Sequence, residues 1–342
     1  MAAIHGPTYG LGKSLWPSPA CMLGYRMIKK SALILATVLS VAPVSAAPLS
    51  KDEVRSGYLE HAALAQFHRW FQLYENREVP IENQLDILTE DVKLSSGLGE
   101  AKGHEAYKER VSKLPESWAN AHFVKASTVE KSEAGGLLLE AEVRYLNQGM
   151  LPDGVIRAAD LSYTAQLTIQ DTGLPLFSSI KIEQNSNSEE KVFTDAYPEN
   201  RLKSLVHQWL HLIENPQRDV EPFKEVLAED FSLNFSQGPI PDFEAFTKWY
   251  EGPASSVAAS THSMSDFSFT STGENSYGLQ VTFDWQGILP DGSELAAKTR
   301  HSWNVIDDPK ERFARIKDVQ VEVLERFAPL QREKPDQDSE GE

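Results

Sequence analysis

The chain has 342 residues, of which 41% are hydrophobic and 24% charged. This composition is typical of a globular protein, and the length suits roughly two domains of about 150 residues each. The formal net charge of −17 repels polyanions, which argues against nucleic acid and anionic membranes as partners. A simpler role of this charge is to keep an exported protein soluble.

The first predicted element is a cleavable leader at residues 27–46. Lys29 and Lys30 precede an apolar run, and small residues end the segment, a pattern typical of a secretory signal peptide. The run is shorter than the roughly 20 residues that span a bilayer. We therefore expect a periplasmic or secreted protein with no membrane span after leader removal, and interpret residues 1–26 as a mis-called N-terminal extension. Cys21, the only cysteine, lies in that extension, so the mature chain has no disulfide.

An internal repeat follows the leader. Residues Phe67–Tyr107 align without a gap with Val206–Phe246, which lie 139 positions later. The identical residues of this alignment at the first helix of each copy include His68 and His207, Trp70 and Trp209, Leu73 and Leu212, Glu75 and Glu214, and Asn76 and Asn215. Self-similarity at a long fixed period indicates a duplicated folding unit.

Hydrophobic periodicity predicts the same elements in both copies. Apolar residues at helical spacing predict a long first helix, about Val54–Glu75 in the first copy, and residues 202–213 show the same spacing in the second. Each copy continues with a short helix, about 83–89 and 223–228, and a third helix, about 103–113 and 242–250. Alternation of period two then predicts strands at about 122–130, 137–147, 155–170 and 177–183, with counterparts at 262–271, 277–285, 293–306 and 313–323.

The turn sequences between strands repeat as well. Pro-Asp-Gly at 152–154 and at 290–292 predicts tight turns, since Pro fixes φ and Gly accepts a positive φ. Helices followed by a long antiparallel sheet indicate the α+β class. We predict a first domain at 51–184, a polar linker at 185–198, a second domain at 199–327 and a disordered acidic tail at 328–342.

Each copy resembles the SnoaL-like branch of the nuclear transport factor 2-like (cystatin-like) superfamily. The resemblance rests on the long helix with Trp70 or Trp209, on a repeated Leu-x-Glu-Asp-x-x-Leu segment, and on a histidine that opens the next strand, His122 or His262. It implies two tandem α+β cones, each with a long N-terminal helix packed in a curved antiparallel sheet and a pocket at one end. Relatives commonly pair through their sheets, so the copies are expected to form an intramolecular pseudo-dimer.

The resemblance also implies chemistry. Enzymes of this superfamily move protons near a carbonyl or an alcohol, which needs a carboxylate or histidine facing a polar donor in a dry pocket. In the second copy, His262 and His301 are the candidate catalytic base and acid, with Trp209 and Trp303 as apolar walls. An alternative is that strand-start histidines hydrogen-bond the backbone and that the tryptophans are core residues.

The first copy keeps His122 and has Tyr163 at the position aligned with His301, a pair that could bind an oxyanion. Trp70 and Tyr74, on the helix, complete the candidate ligand-binding set. No aspartate lies on the presumed inner face of the strand that carries Tyr163, because Asp160 points to the other side. This departs from the catalytic relatives.

No metal site or cofactor is predicted. His207 and His211 lie four residues apart on a helix, but no carboxylate completes a zinc motif, and we interpret them as surface histidines. Three functions remain open: a binder of a small, largely apolar ligand, a cofactor-free lyase, isomerase or cyclase, and a non-catalytic envelope interaction scaffold.

Overall fold

A computed structural model describes residues 48–133, 135–235 and 238–331. The predicted extension at 1–26 and the signal peptide at 27–46 lie outside the described residues, as does most of the tail. None of the described helices is long and apolar enough to cross a membrane.

The two copies build the same series of elements. In the first copy these are helices α1 (Lys51–Glu75), α2 (Ile81–Leu85) and α3 (Gly103–Ser112), with strands β1 (Leu88–Ser96), β2 (Gly99–Lys102), β3 (Ala119–Lys131), β4 (Leu137–Gln148), β5 (Ile156–Thr168), β6 (Leu176–Gln184) and β7 (Ser188–Glu190). In the second copy they are helices α4 (Tyr197–Glu214) and α5 (Phe243–Glu251), a 3-10 turn at Glu221–Glu225, and strands β8 (Leu227–Phe235), β9 (Gly238–Ile240), β10 (Ala259–Gly273), β11 (Ser276–Ile288), β12 (Glu294–Ile306) and β13 (Arg315–Pro329).

Each copy forms its own sheet, and the two sheets have equivalent topology. The strand order is β2-β1-β6-β5-β4-β3 in the first and β9-β8-β13-β12-β11-β10 in the second. In both, one parallel pairing (β1 with β6, β8 with β13) joins otherwise antiparallel strands. The predicted fold class, two tandem α+β cones with a long helix packed against each sheet, is therefore confirmed.

Helix α1 is buried on nearly all sides. It begins with a capping box in which Ser50 Oγ accepts from Glu53 N–H and the Glu53 carboxylate accepts from Ser50 N–H. Its aromatic face, including Phe67 and Phe71, packs into its own sheet. Polar residues such as His68 and Gln72 are also buried, because the opposite face packs on α4, where they contact Asn200 and Arg201.

The two copies contact each other mainly through these long helices. Ser204 Oγ donates to the carbonyl oxygen of Ala65, its aligned position, at 3.1 Å, and the aligned rings of His68 and His207 stack with centroids 5.7 Å apart. The pseudo-dimer thus pairs helix to helix, with β10 against α1, rather than sheet to sheet.

The interpretation of His207 and His211 as surface residues was wrong. Each side chain faces α1 and each residue is only 5% exposed. His211 Nδ1 lies 2.9 Å from the carbonyl oxygen of Tyr58, on α1. The periodicity of α4 alone identifies one apolar face and gives no sign that a second helix covers the other.

Both Pro-Asp-Gly segments form turns between neighbouring strands. Residues 152–154 form a 3-10 turn between β4 and β5, in which Gly154 has φ of 72°. Gly292 N–H donates to the carbonyl oxygen of Leu289 in the turn between β11 and β12. The expected linker contributes the short strand β7, which pairs with β5, and the first two residues of the expected tail extend β13.

Candidate functional site

The first cone contains a cavity of about 260 Å³. All four residues predicted to bind a ligand in this copy, Trp70, Tyr74, His122 and Tyr163, line it. Further lining residues, which sequence reasoning missed, include Arg110, Trp118, Tyr145, Met150 and Arg157. The helix supplies one wall and the concave face of the sheet supplies the other.

The second cone contains a cavity of about 350 Å³. Trp209, His262 and His301 line it, together with Phe283 and Trp285. Trp303, predicted as a wall, instead lies in the core beneath Trp209, with ring centroids 6.0 Å apart and only 2% of its surface exposed. Its side chain occupies the interior position on β12 that the helix covers.

A buried glutamate holds the histidine of the first cone. Glu75 Oε1 accepts a hydrogen bond from the backbone N–H of His122 at 2.8 Å and lies 3.1 Å from its ring Nδ1. When Glu75 is ionised its carboxylate can only accept, which holds Nδ1 as the protonated nitrogen, and Nε2 has no hydrogen-bond partner among the described residues. Glu75 is the last residue of α1, where the helix dipole disfavours an acid, so the position is not explained by helix stability.

The second cone repeats this arrangement. Glu214, the last residue of α4, has Oε1 at 2.8 Å from both the backbone nitrogen and the ring Nδ1 of His262. Both glutamate side chains are fully buried. Each cone therefore presents a Glu–His dyad in which an oriented imidazole borders an apolar cavity, the arrangement of a general base.

His301 borders the same cavity from β12, without a hydrogen bond to His262. Its Nε2 lies 3.2 Å from Thr299 Oγ1, and its Nδ1 is buried without a partner among the described residues. Burial lowers the pKa of His301 to about 3, so the ring is neutral near pH 7. It is suited to donate a hydrogen bond as a neutral ring, not to act as an imidazolium acid.

The carboxyl pKa values of the two dyads are shifted in opposite directions. Burial dominates at Glu75 and raises the pKa of its carboxyl well above the usual value, even though Asn200 and His122 donate to it. Burial also opposes ionisation of Glu214, but His61 on α1 and His262 outweigh it and lower the pKa of Glu214. Burial lowers the pKa of His122 to about 3.

The sequence had placed Asp160 outside the first cone, and neither Asp160 nor Asp284 lines a cone cavity. Asp160 forms ion pairs with Lys125 and Arg144, and Asp284 forms one with Lys298. Within the described part of the chain, no cluster of three or more histidines, cysteines or acids is arranged to hold a metal ion.

The carboxylates of the site, Glu75 and Glu214, were missed at the sequence level. They appear in the repeated Leu-x-Glu-Asn motif, and the dipole argument at a helix C-terminus could have marked them. Their partner histidines come from strands about 47 residues further along, so no local spacing links the pair.

No protein-family model and no curated protein matches the chain. Solved structures do match, one domain at a time. A putative scytalone dehydratase from Novosphingobium aromaticivorans is 10% identical and aligns over 42% of this chain and 95% of its own, with a TM-score of 0.35. A nuclear transport factor 2-like superfamily protein from Salmonella enterica is 12% identical over 39% and 91%, with a TM-score of 0.30.

An uncharacterized protein with a cystatin-like fold from Caulobacter vibrioides is 13% identical over 37% of this chain and 89% of its own, with a TM-score of 0.31. The Salmonella and Caulobacter proteins have the fold class predicted from the sequence. Similarity of this size carries no inference about activity.

Proposed function

We propose that each cone binds a small, largely apolar molecule without a cofactor, and that the second cone also transfers a proton, as a lyase, isomerase or cyclase. The observation that carries this proposal is the Glu214–His262 dyad beside an apolar cavity of about 350 Å³. An oriented base next to a dry binding surface is what proton abstraction requires.

The roles follow from the hydrogen bonds. Glu214 holds Nδ1–H of His262, which leaves Nε2 with a lone pair for a proton from a C–H next to a carbonyl group of the ligand. The imidazolium that forms is stabilised by the ionised carboxylate. His301, as a neutral donor, is assigned to the ligand oxygen on which charge develops. The proton returns to another atom of the ligand or leaves with a leaving group.

The first cone is assigned to binding. Its dyad has the same geometry, but Glu75 faces the neutral amide of Asn200 and its carboxyl pKa is raised, so it stabilises an imidazolium less well. Arg110 and Arg157 line this cavity together with Tyr145, which gives it more polar anchors than the second cone has. A binder needs volume, apolar walls and a few such anchors.

The test is the exchange of the α-protons of 2-tetralone, a small apolar ketone, for deuterium in D₂O, followed by NMR. We expect the wild-type protein to accelerate this exchange, and His262→Gln to reduce the acceleration by at least about 100-fold, the usual contribution of a positioned base. His104→Gln is the matched control, since His104 lies on α3 outside both cavities and bonds only the carbonyl oxygen of Leu88.

Two results would overturn the proton-transfer role. One is an acceleration that survives His262→Gln, which would trace the exchange to another group. The other is the absence of acceleration by wild-type protein when 2-tetralone is shown by ligand-observed NMR to bind. Binding to the cones would stand in either case.

A further inference from the structure

The dyad of each cone is completed by a residue from the other copy. In the second cone, His61 Nε2, from α1, lies 3.1 Å from the carbonyl oxygen of His262 and 3.6 Å from Glu214 Oε1. In the first cone, Asn200 Nδ2, from α4, donates to the carbonyl oxygen of His122 at 2.9 Å and to both oxygens of Glu75 at 3.0 and 3.1 Å. Residues 61 and 200 are separated by the repeat interval of 139.

The reciprocity extends one contact further. His61 Nδ1 lies 3.1 Å from His207 Nδ1, and Asn200 Oδ1 lies 2.8 Å from His68 Nδ1. His68 and His207 are themselves an aligned pair, stacked where α1 and α4 cross. A chain of polar contacts therefore extends from each dyad into the helix interface, and the two chains meet at the stacked rings of His68 and His207.

The two bridging residues differ in the charge they can carry. His61 Nε2 must bear a proton, because the carbonyl oxygen that it contacts only accepts. Its Nδ1 can accept from His207 or, when protonated, donate to it, so His61 can be a cation. Asn200 is neutral at every pH. Glu75 and Glu214 are otherwise equivalent, so the carboxyl groups differ in whether their neighbour from the other copy can carry a positive charge.

The carboxylate oxygens of Glu75 and Glu214 also differ in their hydrogen-bond partners. Both oxygens of Glu75 accept hydrogen bonds from Asn200, whereas Glu214 Oε2 is buried without a partner among the described residues. A carboxyl group with a buried oxygen that accepts no hydrogen bond is ionised only if a nearby positive charge compensates the cost of burying its negative charge. His61 is the cationic group in position to do so.

We propose that His61, on the first copy, is a positioning residue for the second cone: it holds Glu214 ionised and fixes the backbone of His262, so that the active dyad is assembled across the two copies. The catalytic part of this inference rests on the proposed function of the second cone. Other titratable groups around His61 are Glu60 on its own helix, His207 and His211 on α4, and His262 on β10.

The pKa directions agree with this arrangement. Burial acts to lower the pKa of His61, but Glu214 and Glu60 outweigh it and raise that pKa, which favours the imidazolium. His207 has a pKa well below its usual value because of burial and the neighbouring His61, so it remains a neutral acceptor. The proton between the two rings accordingly belongs to His61.

The experiment exchanges the bridging residues. His61→Asn gives the second cone the residue that the first cone uses, and Asn200→His does the reverse. The pKa values of Glu75 and Glu214 are followed by NMR of ¹³C-labelled glutamate carboxyl groups. We expect His61→Asn to raise the pKa of Glu214 by at least about one unit, and Asn200→His to lower that of Glu75 by a similar amount, as expected for adding or removing a close charge.

The acid limb of the 2-tetralone exchange rate should move to higher pH in His61→Asn by the same amount, a shift that a purely structural role would not produce. A Glu214 pKa that stays within about 0.3 units in folded His61→Asn would overturn the proposal, since a close opposite charge shifts a carboxyl by far more. If that variant does not fold, an unchanged Glu75 pKa in Asn200→His overturns it. The carboxyl titration needs no catalysis, so a wild-type protein without exchange activity would sink only the proposed function.

Discussion

The two cones share a framework and differ in what surrounds it. In both, a glutamate at the end of the long helix orients a histidine on the first strand of the sheet meander. In the first, the carboxyl group meets an amide, and in the second it meets an imidazole, each supplied by the other copy. The comparison shows how a duplicated site can diverge by a change outside its own domain.

The cavity linings have diverged as well. The first holds Arg110, which donates to Gly99 and Ser96, Arg157, which donates to Asn187 and Gln184, and the hydroxyl groups of three tyrosines. In the second, the lining arginine, Arg218, has its guanidinium donating to the carbonyl oxygens of Ala254 and Val257, and most other lining residues are apolar. No aspartate or glutamate is among the described lining residues of either cavity. The two cones therefore present different lining residues to a ligand.

The largest expected effect concerns a buried ion pair found in the second copy. Arg201 and Asp307 are each about 1% exposed and 2.6 Å apart, and Arg201 also donates to the carbonyl oxygens of Asp308, Glu311 and Arg312. The aligned residue of the first copy is Ala62, which is buried among apolar groups. Arg201→Met leaves Asp307 buried without its partner, and should lower the free energy of unfolding by about 3–5 kcal/mol.

Urea denaturation measures this effect, with Arg144→Met as the control. Arg144 also pairs with two carboxylates, but these lie at the surface, so its loss should cost far less. If the two variants lost equal free energies of unfolding, burial would not determine how much these ion pairs contribute to stability. The Arg201–Asp307 pair would then not be a main stabilising contact of the second copy.

The next effect tests how α1 and α4 pack on opposite sheets. A Cβ at Gly57 would lie 2.1 Å from Thr261 Oγ1 and 2.8 Å from Thr261 Cβ. The aligned Ala196 packs in a cluster with Ala121, which corresponds to Thr261. One contact is thus Gly against Thr and its counterpart is Ala against Ala.

Gly57→Ala should therefore destabilise the protein by about 1–3 kcal/mol through overpacking, although alanine is the better helix former. Thermal unfolding of the double variant Gly57→Ala, Thr261→Ala provides the control, because it removes the 2.1 Å contact with Oγ1 but keeps the 2.8 Å contact with Cβ, and it should recover part of the loss. Gly97→Ala, with no atom within 4 Å of the added Cβ, should change little. No recovery in the double variant would contradict the size-matching explanation.

The sequence predicted what repeats within one copy. The strands and long helices follow from apolar periodicity, and the ligand-facing set Trp70, Tyr74, His122 and Tyr163 does line one cavity. The sequence could not predict the contacts between the two copies. His61, His207 and Asn200 are polar residues on helices, and only the packing of α1 on α4 makes them buried and connected. Trp303 was misplaced for a related reason, since alternation gives the inward face of β12 but not how deep under the helix each residue lies.

The smallest expected effect separates the two carboxyl groups by the sign of their pH dependence. The folded pKa of Glu75 is raised, so its favourable contribution is complete below about pH 4.5 and is lost as pH rises through the folded value. The folded pKa of Glu214 is lowered, so its contribution is present above about pH 4.5 and is lost as pH falls through the folded value.

Replacing each acid by glutamine removes its titration while keeping its shape. The stability lost in Glu75→Gln should accordingly shrink with rising pH above about 4.5, and the stability lost in Glu214→Gln should shrink with falling pH below it, each by at most about 1.4 kcal/mol per pH unit. Urea unfolding of both variants and the wild type across this range measures the two slopes. The difference for Glu214→Gln also includes the titration of His61, because Glu214 raises the pKa of that histidine. Slopes of the same sign would mean that His61 and Asn200 do not distinguish the carboxyl groups, and that the two cones carry the same charge.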